Sequence, residues 1–210
     1  MADEHSPVRG VGAAHDQRRR DILEAVFSIV DSAGADQVSI RHVAEAAGVS
    51  VGRVQHYFPS KDALLTEAFA AINDLGTRRV QERLAAEGAT DDPRRALHAI
   101  LAELIPHTDE DRTLFRVAQA FETYALTRPS LKDRVTEGYD QLAALLALLL
   151  RSATGEHATE GSLRPEAHAL LALAIGLSGL TLTGNLTPRE AGRIVTTHLD
   201  DAIAKLSSTR

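Results

Sequence analysis

Between Ser39 and Leu65 the chain reads S-I-R-H-V-A-E-A-A-G-V-S-V-G-R-V-Q-H-Y-F-P-S-K-D-A-L-L, and few folds accommodate that order of caps, turn and apolar positions. Ser39 is placed to cap a helix whose inward face is Ile40, Val43, Ala44 and Ala47, and Gly48 follows where a left-handed residue must end it. Val49 plugs the corner, and Ser50 caps a second, short helix from Val51 to Tyr57. In that helix Val54 faces inward while Arg53, Gln55, His56 and Tyr57 project elsewhere. Small Ala44 permits a steep crossing and Gly48 supplies positive φ at low cost, so the pattern predicts a helix-turn-helix. An ordinary helical hairpin with a polar outer face fits the same residues.

The continuation narrows the reading. Pro59 ends the short helix, and Ser60 caps a long apolar-periodic run that begins at Leu64. From Ala44 to Lys61 the residues A-x-x-A-G-V-S-x-G-x-V-x-x-Y-F-x-S-K resemble the signature of tetracycline-repressor (TetR) family regulators. With its preceding helix the motif covers roughly the first third of the chain; the remainder resembles the family only in being helical and of suitable length. The resemblance implies a dimeric repressor that binds double-stranded DNA at a near-palindromic operator and is released by a small-molecule effector.

Charge and residue usage bound the alternatives. A net charge of -6 argues against a protein that coats nucleic acid indiscriminately, and leaves specific binding open because charge acts locally. Arg18, Arg19 and Arg20 form a basic cluster, which reads equally as a solvated helix face or a phosphate contact. With no cysteine, a disulfide framework, a thiolate metal site and a Cys nucleophile are all excluded, and a cytoplasmic location is compatible. No apolar leader follows the N-terminal charges, so no secretory signal is expected. The longest apolar stretches, 142–150 and 169–182, are expected to be buried helices, too short or too interrupted by Gly176, Ser178 and Gly179 to span a bilayer. Nine histidines lie scattered without H-E-x-x-H spacing, and no paired-carboxylate site or phosphate-binding glycine loop is present. No metal, cofactor or catalytic site is therefore expected, and an all-α enzyme is the weaker rival reading. A helical protein-interaction adaptor is the other.

The expected fold is all-α, with about nine helices and no strand. Residues 1–15 are expected to be a disordered arm, 16–63 a three-helix DNA-binding domain, and 64–210 a larger helical bundle for ligand binding and dimerisation. The first helix buries Ile22, Ala25, Val26, Ile29 and Val30 and closes at Gly34. Later helices announce themselves by caps: Asp92-Pro93, Thr108 with Asp111, Ser130 with Asp133, Pro165 after a loop at 152–162, and the Thr187-Pro188-Arg189-Glu190 box.

Site roles follow from the motif and the resemblance. Arg53 suits two parallel hydrogen bonds to guanine, Gln55 an adenine or a phosphate, and Val51 a thymine methyl. Gly52 permits close backbone approach, and Ser50 or its helix N-terminus suits a phosphate. The resemblance places Arg41, His56, Tyr57 and Lys61 at phosphate or mixed contacts. Phe58 reads as core instead. Near positions 53, 51 and 55 the threonine or lysine and the tyrosine frequent in similar proteins are replaced by Arg, Val and Gln, so no known operator transfers to this chain. Leu171, Ile175, Ser178 and Leu182, with Val195, Leu199, Ala202 and Leu206, form stripes that fit either a four-helix bundle with a two-fold mate, which the resemblance favours, or packing within the monomer. Gln119, Glu122, Tyr124, Tyr139 and His168 are the polar groups expected to line an effector pocket.

Overall fold

The computed structural model describes residues 10–86, 88, 91–155 and 158–208; they contain nine α-helices, one short 3-10 turn and no strand. The chain divides into two compact units at Ala71–Ile72, inside one helix and eight residues beyond the boundary expected at 63–64. Leu64, Leu65, Ala68 and Phe69 are all buried, and burying such side chains against the first unit carries it past the motif.

In the first unit, α1 (Gly10–Ala33) is followed by the 3-10 turn Ala35–Gln37, α2 (Ile40–Ala46), α3 (Val51–Tyr57) and the start of α4 (Lys61–Ala86). Ile22, Ala25, Val26, Ile29 and Val30 are buried on α1 as their spacing predicts, and Gly34 ends the helix at φ 87°. Residues 1–9 of the expected arm lie outside the described residues. Residues 10–15 are a correction: they are helical, extending α1 back through G-V-G-A-A-H in spite of its two glycines.

The second unit comprises the rest of α4 with α5 (Pro93–Glu103), α6 (Asp109–Ala125), α7 (Pro129–Thr154), α8 (Glu160–Leu182) and α9 (Pro188–Ser208). Its core runs from Leu97 and Leu101 on α5 through Leu146 and Leu150 on α7 and Leu163 and Ala174 on α8 to Leu199 and Ile203 on α9. Two caps close as full boxes. Thr108 Oγ1 accepts from the Asp111 N–H at 3.1 Å while Asp111 accepts from the Thr108 N–H at 2.8 Å, and Thr187 and Glu190 repeat the exchange. Asp111 also pairs with Arg79 of α4 at 2.8 Å. Burial alone would push its carboxyl up, but hydrogen bonds from Thr108 and His107 together with Arg79 hold it below the usual carboxylate range.

Two helix starts differ from expectation. α7 begins two residues early, with Arg128 instead of Ser130 at the cap position and Pro129 in the first turn, where a missing N–H costs nothing. α8 begins at Glu160, leaving Pro165 inside it and turning part of the expected loop into helix. The extension places Leu163, 1% exposed, in the core, and that burial offsets the one backbone hydrogen bond the proline lacks. The same extension corrects the membrane expectation: residues 161–182, at mean hydropathy 1.3, are long and apolar enough to cross a bilayer by length and composition. A packed core helix meets that criterion too, and Leu163, Leu170, Leu171, Ala174 and Leu177 of α8 are core.

Candidate nucleic-acid interface

The turn between α2 and α3 is built entirely from local chemistry. Ser39 Oγ accepts from the His42 N–H and Ser50 Oγ from the Arg53 N–H, both at 3.2 Å, so each helix has its cap. At the end of α2, Gly48 adopts φ 64°; its N–H reaches the Glu45 carbonyl at 3.2 Å and the Val49 N–H reaches Ala44 at 2.9 Å. That pair of bonds is a Schellman closure, and it fixes the direction in which α3 leaves.

α3 has one buried side, formed by Val54 at 0% exposure. At about 100° per residue, Gly52 and His56 lie on the opposite ridge, with Arg53 and Gln55 to either side. Arg53, Gln55 and His56 are exposed, and Val51 is 42% exposed. Gly52 has ordinary helical geometry, and a Cβ built there meets no atom within 4 Å. Nothing within the chain thus requires glycine at this position, although glycine costs a helix about 1 kcal/mol relative to alanine.

The remaining residues around the motif divide by partner. Phe58 is core at 1% exposure, as expected. Lys61 Nζ donates to the Asp36 carbonyl at 2.9 Å, tying the start of α4 to the 3-10 turn, and Ser60 caps α4 through the Ala63 N–H at 3.0 Å. Arg41 is exposed on the first turn of α2. Tyr57 is half-buried, its ring centroid 5.4 Å from that of His56 and 4.6 Å from that of His15 on α1. Sequence reasoning missed His15, because it fell within the expected arm. The arginine cluster separates: Arg19 pairs with Glu67 and lies over the Phe58 ring, Arg20 bonds Gln17, and Arg18 is exposed.

In the second unit, the five polar residues expected around a pocket do not converge. Glu122 of α6 and Tyr139 of α7 meet directly, the phenol donating to the carboxylate at 2.6 Å. Burial pushes the Glu122 carboxyl up against the lowering effect of that bond, and burial together with the carboxylate pushes the Tyr139 phenol well above its ordinary range. Gln119 is exposed beside Gly179 of α8. Tyr124 is instead buried beneath the Arg128 guanidinium, 3.3 Å from its ring centroid. His168 is exposed, with Nδ1 2.8 Å from the Arg164 carbonyl. The pairing across 17 residues had no local signal; apolar surroundings on both helices were the available hint.

The expected dimer stripe also needs correction. Leu171, Ser178, Val195, Leu199, Ala202 and Leu206 are buried within the single chain, and only Ile175 and Leu182 are partly exposed. Those positions carry the strongest apolar periodicity because they face the chain's own core. The outward side of α8 is instead Ala169, Ala172, Gly176 and Leu180, the last 45% exposed, with Leu173 half-buried beside them.

Paired caps, a Schellman turn and an exposed short helix held by one buried valine define a helix-turn-helix DNA-binding regulator. Residues 22–68 match the family of bacterial regulatory proteins of the tetR type, and residues 93–204 match the C-terminal region of BetI-type transcriptional repressors. The chain belongs to the TetR family of transcriptional regulators. It is 30% identical over 200 residues to the HTH-type transcriptional regulator BetI 1 of Chromohalobacter salexigens, covering 91% of this chain and 93% of the relative. A TetR-family regulator from Rhodococcus sp. superposes at TM-score 0.77 with 26% identity, covering 90% of this chain and 99% of the other. A regulator from Saccharomonospora viridis, solved in complex with choline, shares the fold at TM-score 0.72 and 24% identity, over 90% of this chain and 96% of the other. The family and these relatives are regulators of transcription, not enzymes.

Proposed function

We propose that the protein is a homodimeric, cytoplasmic repressor whose two α3 helices read successive major-groove half-sites of a near-palindromic operator. The ridge of α3 carries this reading: an exposed glycine with no intramolecular purpose, flanked by Arg53 and Gln55, suits close approach to base edges. Val51 supplies an apolar contact, and Ser50, Arg41, His56, Tyr57 and Lys61 supply phosphate or mixed contacts around it. Dimerisation is assigned to the outward face of α8, where Ala169, Ala172 and Gly176 allow close helix approach and Leu180 adds apolar area. A single module makes too few base contacts for regulatory affinity, which favours two.

The effector is read as a small organic cation. Glu122 has no cationic partner among the described residues, and its carboxylate is held in poorly solvated surroundings with only Tyr139 bonded to it. A cation that enters beside this pair supplies the missing charge and meets the face of a phenol ring. Selection of binding sites from random DNA by the purified protein tests the first part; recovery of no enriched, two-fold related sequence would refute it. Choline, the ligand of the Saccharomonospora neighbour, is the first effector to test, by its release of the protein from the selected DNA.

A further inference from the structure

Two histidines stand at the edge of the interface without a hydrogen bond to their ring nitrogens among the described residues, His15 having only Asp16 nearby at 3.7 Å. His15 of α1 lies 4.6 Å from the Tyr57 ring and 6.5 Å, edge-on, from His56, so three rings from α1 and α3 form one cluster at the end of the short helix. The His15 side chain is 52% exposed, and His56 is exposed on the outward ridge of α3. Asp16 lies 3.7 Å from His15 Nδ1, beyond hydrogen-bond reach, and His56 has no polar partner among the described residues. By contrast His42, His168 and His198 each hold a ring nitrogen within 3.2 Å of a backbone carbonyl. The charged and titratable groups around the cluster are Asp16 and, one turn away on the same helices, Arg18 three residues beyond His15 and Arg53 three residues before His56, with Tyr57 packed against both rings. Arg19, one turn along α1, is turned away to Glu67 and Phe58.

We propose that His15 and His56 together form a proton-linked phosphate contact, through which α1 adds to the DNA-binding face. This rests on the reading of α3 as the DNA-reading helix. The cluster packs both rings against Tyr57, leaving their N–H groups for an outside acceptor. A protonated imidazole donates from both ring nitrogens, and a phosphate beside it favours that charged form. DNA binding therefore takes up protons, and affinity rises as pH falls through neutrality. Asp16 offsets part of that charge in the free protein, and an incoming phosphate competes with it.

Salt dependence reads the contact directly, since each phosphate neutralised adds about 0.9 to the slope of log affinity against log salt. The experiment measures that slope by fluorescence anisotropy for the full chain on a mixed-sequence duplex, near pH 6 and near pH 8.5. The slope is expected to be steeper near pH 6 by about 0.9 for each imidazole engaged. His15→Gln and His56→Gln are each expected to remove one share of that difference between the two pH values. His15→Lys, which fixes the charge, is expected to keep the steep slope at both pH values. Equal slopes at both pH values in the wild type, or a difference that survives in the double glutamine variant, overturn the proposal while DNA binding stands. Absence of duplex binding at any pH overturns both readings.

Discussion

Gly52→Ala separates what α3 needs for folding from what it needs for DNA. The residue sits in the first turn of α3 with ordinary φ, and the added methyl meets nothing within 4 Å. Alanine therefore costs the native state no contact and removes freedom from the unfolded chain, worth about 0.4–1 kcal/mol. Near a helix end only part of the full propensity difference is realised, so stabilisation of about 0.5 kcal/mol is expected. On DNA the sign reverses. The same methyl stands on the ridge that enters the groove, and displacing α3 by its thickness forfeits on the order of one bidentate contact, about 1–3 kcal/mol or tenfold and more in affinity. Urea denaturation followed by circular dichroism gives the first quantity, and anisotropy titration on a selected operator gives the second. A destabilised variant would reveal an intramolecular need for glycine that the geometry does not contain. A stabilised variant with unchanged affinity would show that this ridge does not face the groove.

Arg53→Ala is expected to leave the fold intact and to lower affinity for a selected operator by about 1–3 kcal/mol, with little change on unrelated duplex; equal losses on both would reassign Arg53 to phosphate. Glu122→Gln is expected to stabilise the protein at neutral pH, because the raised carboxyl makes the charged form unfavourable in the fold while the amide oxygen keeps the Tyr139 bond. The raised pKa means that native stability is lost as pH rises from the unfolded value through the folded one. The gain should therefore vanish in thermal melts below about pH 4, where the carboxyl is protonated in both states. Leu180→Glu is expected to shift the light-scattering mass from dimer to monomer, since a charge on the outward face of α8 has no partner when that face is covered.

The sequence was legible where structure is decided within a few residues. Ser39, Ser50, Ser60, Thr108 and Thr187 all act as caps, because a hydroxyl and an N–H three positions later suffice to make one. Legibility failed where a distant surface decides. Leu163 draws α8 past a proline that marks a helix start by local rules, and the gain comes from a core the local sequence does not contain. Leu199 and Leu206 show the same limit: an apolar stripe records that burial is required and is silent on whether the cover is the same chain or a second copy. His15 could not be placed beside Tyr57, because that contact joins positions more than 40 residues apart through the packing of α1.

Asp111 shows how much of this chain's tolerance to change is concentrated in single atoms. The same carboxylate completes the box at the start of α6, accepts a further N–H from His107 and holds Arg79 of α4. Asparagine could keep one of those duties and glutamate another, but no other side chain of this reach performs all three. Drift at position 111 is thus felt in a helix terminus and an interhelical tether at once. Positions 79, 108 and 111 are accordingly expected to change together among descendants of this sequence, as one heritable unit rather than three.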